Sequence, residues 1–76
     1  MMMKLSNAKK GNKGRIVKID GDKEFKKKVN VMGILEGEEF SVSEVFPMGS
    51  PIIINIRNSK IALRKDEAER LTVDIF

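Results

Sequence analysis

Five short runs of closely spaced or alternating apolar residues, each bounded by turn residues, restrict the fold of this sequence more than any other feature. The runs lie within Arg15–Ile19, Phe40–Ser43, Ile52–Arg57, Lys60–Arg64 and Leu71–Ile75. Apolar residues at period-two spacing are typical of strands with one buried face. The sequence therefore predicts five short strands, of which the first carries apolar residues on both faces and the second bends near Val45.

Turn residues connect the predicted strands at two informative places. Pro47 and Pro51 enclose a loop before the third strand. Asn58 and Ser59 separate the third strand from the fourth, and Asn tolerates a positive φ, so we expect a tight hairpin there.

One segment has helical rather than strand spacing. Phe25, Val29 and Met32 recur at i, i+4 and i+7, with lysines between them, which predicts an amphipathic helix over residues 22–33. Asp22 is suited to the N-cap and Gly33 to the left-handed conformation that ends a helix. A second, short helical turn is expected at about 66–70, capped by Asp66.

Five strands and one helix cannot bury a flat sheet on both faces, but they can curl into a small barrel, which also removes exposed strand edges. We therefore expect a mainly β, five- to six-stranded barrel of SH3-like or OB-like type. The 76 residues predict one domain, 1–76, with a thin core and a partly flexible N-terminus at residues 1–10. The segment Met1–Lys10 has no apolar run that predicts a signal peptide or a membrane span, which favours a cytoplasmic location.

The sequence contains neither Cys nor His. The commonest general base, the thiolate nucleophile and the preferred ligands of transition metals are therefore missing, so we predict no catalytic residue and no tightly bound cofactor or metal. Two acidic clusters could contact a hard divalent ion weakly through oxygen atoms. These clusters are Glu36, Glu38, Glu39 and Asp66, Glu67, Glu69.

Charge is unevenly distributed along the chain. Residues 1–28 hold ten basic and three acidic side chains, whereas residues 29–76 hold five and eight. A cationic N-terminal third can attract an acidic protein surface, lipid headgroups or nucleic acid, or can simply form a solvated face. Nucleic-acid binding is the less favoured function, because single-strand binders use exposed aromatic residues and the four Phe suit core positions.

The order of small and apolar residues forms a pattern over nearly the whole chain. Its members are Leu5, Gly11, Gly14, Ile16, Ile19, Gly21, Asp22, Val29, Met32, Gly33, Ile34, Gly37, Phe46, Pro47, Gly49, Pro51, Ile54, Ile56, Ile61, Ala62, Leu63, Arg64, Glu67, Ala68 and Val73. This pattern resembles that of the ferrous iron transport protein A (FeoA) family, with mild departures at Ala8, Lys28 and Asn58.

The resemblance implies a stand-alone, single-domain SH3-like barrel with an inserted helix. It also implies a bacterial, non-enzymatic role in iron homeostasis, through docking on the membrane ferrous iron transporter B or its cytosolic GTP-binding domain. Transition-metal binding is likewise associated with the family. Such a protein would be cytoplasmic, or peripheral to the inner face of the plasma membrane through its partner, without entering the membrane. Related domains form the last part of iron-dependent repressors, so a metal-responsive regulatory module is an alternative function.

Two segments are candidates for the contact with that partner. Lysines on the exposed helix face could meet an acidic surface, and the apolar residues of a proline-flanked loop could pack against another protein. The alternatives are a solvated face for the lysines and a core position for Met48 or Leu35. The candidate residues are Lys26, Lys27, Lys28, Leu35, Pro47, Met48 and Pro51.

Overall fold

A computed structural model describes all residues, 1–76, as six antiparallel strands in one sheet with two helices. The strands follow the order β1-β6-β2-β3-β4-β5 across the sheet. Neither helix has the length and apolar character needed to cross a membrane. The elements are β1 (Met2–Lys4), β2 (Lys13–Ile19), α1 (Lys23–Val31), β3 (Glu39–Val45), β4 (Ile52–Ile56), β5 (Ser59–Leu63), α2 (Lys65–Ala68) and β6 (Leu71–Ile75).

The sheet encloses one apolar core of 17 buried residues, and no polar or charged side chain is buried. The predicted alternation of the third strand is confirmed, because Ile52, Ile54 and Ile56 are all buried. The closing strand β6 likewise buries Leu71 and Val73. Side chains of one face of the sheet thus supply most of the core, as expected for a small barrel.

Helix α1 forms where the sequence predicts it. The backbone N–H of Phe25 donates to Asp22 Oδ1 at 2.8 Å, so Asp22 is the N-cap. Phe25 and Val29 are buried and fix the helix against the core. Gly33 follows the helix with φ of 95°, as predicted for its end.

The first ten residues are more structured than the sequence indicated. Met2–Lys4 pairs with β6 as an additional strand, and Leu5 is completely buried. Three residues are too few to show a strand pattern in the sequence. The flexibility of residues 1–10 stays a prediction, although the pairing of β1 and the burial of Leu5 and Ala8 argue against it for most of this segment.

A β-bulge changes how strand β2 places its apolar residues, which we expected on both faces of the strand. A register shift relative to β6 lies between Ile16 and Lys18. This β-bulge adds one residue, Val17, which is 39% exposed, and allows both Ile16 and Ile19 to face the core. A similar shift between Val42 and Glu44 in β3 accounts for the predicted bend.

The predicted hairpin turn is displaced by one residue. Ile56 pairs with Ser59, so the hairpin loop is Arg57-Asn58 and the positive φ belongs to Arg57. The Arg57 guanidinium donates to Glu38 Oε1 at 2.7 Å, a contact on a distant part of the chain that local sequence does not show.

The cap of α2 is also different from the one predicted. Arg64, not Asp66, is the N-cap residue of this helix. The backbone N–H of Arg64 donates to Glu67 Oε1 at 2.9 Å. This is the capping-box bond from the residue before the first turn to the third residue of the helix. Asp66 lies inside the first turn, where a carboxylate is favourable for the helix dipole.

Candidate functional site

Helix α1 presents a cationic face to solvent. Lys23, Lys26 and Lys27 are exposed and make no ion pair with any acidic side chain. Burial of Phe25 and Val29 on the opposite side fixes this orientation. The positive charge on this face is therefore available to an external partner.

Lys28, which was also a candidate contact, is engaged within the protein. Its ammonium donates to Glu67 Oε2, although the lysine side chain is still 58% exposed. This hydrogen bond, together with that from the backbone N–H of Arg64, lowers the pKa of Glu67 below the ordinary value for glutamate. Lys28 thus links α1 to α2, and it is less available to a partner than Lys26 or Lys27.

A surface groove brings two of the predicted residues together. Lys26 of α1 and Leu35, which follows the helix, line it, and Leu35 is 43% exposed. The groove has a volume of about 310 Å³, and Ile19, Asn30 and Glu36 complete its lining. Asn30 was not predicted, although its i+4 spacing from Lys26 places both on the same helix face. The groove combines an apolar wall with one cation, Lys26, and one carboxylate, Glu36, neither of which forms an ion pair.

The loop between β3 and β4 displays Met48. Pro47–Gly49 forms a 3-10 turn in which Met48 is 91% exposed and has φ of 69°. The backbone N–H of Phe46 donates to the Pro51 carbonyl at 3.1 Å and closes the loop. Met48 therefore does not fold into the core, which was the alternative interpretation. None of these loop residues lines the groove beside α1.

The two acidic clusters do not assemble into a metal site. No group of three or more carboxylate side chains lies close enough together to hold an ion. Several of these carboxylates are instead paired with basic residues, which use the oxygen atoms that a metal would need. The pairs are Glu38 with Arg57 and Glu39 with Arg15, each at 2.7 Å, and Glu67 with Lys28.

The phenylalanines do not form a stacking platform. Phe25 and Phe40 are buried in the core, as the sequence indicates, whereas Phe46 and Phe76 are 45% and 67% exposed and do not occupy the core positions expected of them. Phe46 is partly exposed beside the Met48 loop, while Phe76 lies beneath the guanidinium of Arg15, whose carbon is 5.4 Å from the ring centre. A second shallow cleft of about 260 Å³ adjoins Phe76, and sequence analysis did not detect it.

Comparison with known proteins decides the family. The FeoA domain model matches residues 3–75. This chain belongs to the FeoA family. The crystal structure of an iron uptake regulatory protein (FeoA) superposes with a TM-score of 0.93 at 34% identity, covering 100% of both chains. The sequence resemblance to this family is confirmed.

Two further relatives add information. The zinc complex of Stenotrophomonas maltophilia FeoA, described as a prokaryotic SH3 domain protein, matches with a TM-score of 0.78 at 25% identity, covering 95% of this chain and 89% of that one. This likeness confirms the SH3-like fold. An Fe(2+) transport protein A/Fe(2+) transporter FeoB fusion protein of Porphyromonas gingivalis is 27% identical over 74 residues. The match covers 97% of this chain and spans only 9% of that protein.

Proposed function

We propose that this FeoA-family chain is a non-enzymatic accessory of ferrous iron uptake that docks on the membrane transporter FeoB, or on its cytosolic GTP-binding domain, and changes its assembly or activity. The observation that carries the proposal is the fusion protein of Porphyromonas gingivalis, in which a segment like this chain shares one polypeptide with a FeoB transporter. Docking of the separate chain would place it in the cytoplasm, at the inner face of the plasma membrane.

The groove beside α1 is the surface that we assign to this contact. Lys26 in the groove carries unpaired charge, as do Lys23 and Lys27 on the exposed face of α1, and this charge accelerates encounter with an acidic surface. Leu35 and Ile19 supply the apolar wall on which a partner's side chain can be desolvated. Polar residues around an apolar centre, here Lys26, Asn30 and Glu36 around Leu35 and Ile19, are the arrangement found in many protein interfaces.

Met48 supplies a second contact in this proposal. A flexible, polarizable side chain that is almost fully exposed adapts well to an apolar partner surface. Pro47 and Pro51 restrict the loop, so less conformational entropy is lost when it binds. The loop and the groove use different elements, which allows their contributions to be separated by mutation.

The direct test is a titration of the isotopically labelled chain with the soluble GTP-binding domain of FeoB from the same organism, followed by amide chemical shifts. We expect the largest shifts between Lys26 and Leu35 and between Phe46 and Pro51. Lys26→Glu with Lys27→Glu should weaken binding by about tenfold or more at low salt, because it reverses the charge of Lys26 in the groove and of Lys27 beside it on the exposed face of α1.

A matched control keeps the net charge change but alters another surface. Lys9→Glu with Lys13→Glu reverses two exposed lysines that also lack ion pairs, and this variant should bind nearly as the unchanged chain does. Equal weakening by both pairs of substitutions would indicate attraction by net charge alone. Absence of any shift at high domain concentration would contradict docking on this domain.

The proposal also predicts that this chain does not bind a metal ion tightly. The carboxylates that could act as ligands are dispersed or paired with Arg15, Lys28 and Arg57, and ferrous iron prefers at least some nitrogen ligands. Isothermal titration of the chain with ferrous iron under anaerobic conditions should give at most weak binding. Micromolar or tighter affinity would overturn this part of the proposal.

A further inference from the structure

Strand β5 lies at one end of the sheet and pairs only with β4. Its first pair, Ile56 with Ser59, closes a two-residue loop. Such a closing pair exchanges both backbone hydrogen bonds, and bonded pairs alternate with non-bonded pairs along an antiparallel ladder. The N–H and C=O groups of Lys60 and Ala62 must therefore point away from the sheet.

These four backbone groups have no partner elsewhere in the protein. Neither Lys60 nor Ala62 takes part in any backbone hydrogen bond outside the sheet, or in any side-chain hydrogen bond. Both residues are exposed. The ladder between β4 and β5 has no register shift. The edge is thus regular and open, without the bulge or proline that commonly blocks such edges.

The edge is also cationic. Lys60 and Arg64 stand on the same side of the chain as Ala62, because side chains two residues apart share a face of an extended strand. Lys60, Arg64 and the adjacent Lys65 make no ion pair. The edge ends at Arg64, whose N–H and C=O are used by the start of α2.

We propose that the open edge of β5 binds an extended acidic segment of a partner protein as an additional strand. The free backbone groups of Lys60 and Ala62 would supply the main-chain hydrogen bonds, as in other cases of strand addition. Lys60 and Arg64 would pair with carboxylates on the outer face of the added strand. This site is separate from the groove beside α1 and goes beyond the proposed function.

A second copy of the chain is a poorer occupant of this edge. Two β5 edges placed side by side would bring Lys60, Arg64 and Lys65 of one copy against the same residues of the other, and like charges on neighbouring strands are destabilising. An acidic segment would instead neutralise the positive charge of Lys60, Arg64 and Lys65, which form no ion pair within the protein.

The test uses the full chain and a synthetic peptide, acetyl-Glu-Thr-Glu-Val-Glu-Thr-amide, followed by amide chemical shifts. We expect saturable shifts that are largest at Lys60 and Ala62, and none with the peptide in which Lys replaces every Glu. Ala62→Pro removes an outward N–H but no hydrogen bond to β4, so it should weaken binding by about tenfold. Ala62→Ser keeps the N–H and should bind the peptide as the unchanged chain does.

A second variant keeps the test decisive if Ala62→Pro does not fold. Lys60→Glu with Arg64→Glu leaves every backbone group in place and should abolish binding of the acidic peptide. Shifts that are absent from the unchanged chain or lie elsewhere in it, or a peptide affinity that is unchanged in either variant, overturn the proposal. Concentration-dependent shifts at Lys60 and Ala62 without peptide would assign the edge to self-association and would also overturn it. None of these outcomes depends on FeoB, so the two proposals fail separately.

Discussion

At the scale of single residues, Gly14 is required by the closeness of two strands. A Cβ atom at this position would overlap the backbone carbonyl of Asp74 on β6. We predict that Gly14→Ala lowers the free energy of unfolding by about 1–3 kcal/mol, because β2 and β6 must separate to admit the methyl group. Urea unfolding measures the loss, and amide shifts should change along both strands.

Gly33→Ala is the control for that substitution. Gly33 has φ of 95°, but a Cβ there meets no atom within 4 Å. Its cost is therefore conformational, and its spectral changes should be confined to the end of α1. If Gly33→Ala changed the amide shifts of β2 and β6 as much as Gly14→Ala does, the closeness of these strands would not explain the need for glycine at position 14.

The pair formed by Lys28 and Glu67 predicts a pH dependence of stability. The pKa of Glu67 is lowered in the folded chain, so its contribution is present above the ordinary glutamate pKa and is lost as the pH falls through the folded-state pKa. The difference in unfolding free energy between the unchanged chain and Glu67→Gln should be less than about 1 kcal/mol at pH about 7 and should be smaller at pH about 3. Urea unfolding at both pH values measures it.

Asp66→Asn provides the comparison, since Asp66 is an exposed neighbour without an ion pair. Its difference from the unchanged chain should be smaller than that of Glu67→Gln at neutral pH. A Glu67→Gln difference that does not change with pH would mean that Lys28 gives this carboxylate no net stabilisation in solution.

At the scale of elements, helix α1 was the most predictable part of the chain because its signals are local. The N-cap, the apolar spacing and the terminal glycine all lie within residues 22–33 and agree with one another. The bulge at Val17 and the loop Arg57-Asn58 were not predicted correctly, since each depends on a distant part of the chain, β6 or Glu38. The cap of α2 was assigned to Asp66 because arginine is not a preferred N-cap residue, although Glu67 lies only three residues after Arg64.

The N-cap of α1 gives an element-scale prediction. Asp22→Ala removes the acceptor of the Phe25 N–H and should lower the unfolding free energy by about 1 kcal/mol. Asp22→Asn retains an acceptor and should cost less. Amide exchange in the first turn of α1 should increase in Asp22→Ala, because the cap bond is lost. This helix also carries Lys26 and Asn30 of the groove. Equal stability of the alanine and asparagine variants would indicate that the cap bond contributes little.

At the scale of the whole molecule, the sequence indicated the barrel but not how the candidate contact residues are arranged on it. Lys26 and Leu35 meet in one groove, whereas Lys28 is bound to Glu67 and Met48 stands on a separate loop. Local spacing shows which side chains a helix exposes. It does not show which exposed side chain is already paired with α2, or which residue after the helix turns back toward Ile19.

Two leucines separate stability from binding in the whole molecule. Leu5 is completely buried, and its 3-10 turn, Leu5–Asn7, contacts both α2 and β6, whereas Leu35 is 43% exposed in the groove. Leu5→Ala should lower the free energy of unfolding by about 2–5 kcal/mol, a large share of the total for so small a domain. Leu35→Ala should change it by no more than about 0.5 kcal/mol.

Urea unfolding of both variants checks these values, and titration with the FeoB domain should show weaker binding for Leu35→Ala at unchanged stability. A Leu35→Ala chain that is strongly destabilised would instead make Leu35 part of the core, and the groove would lose its apolar contact.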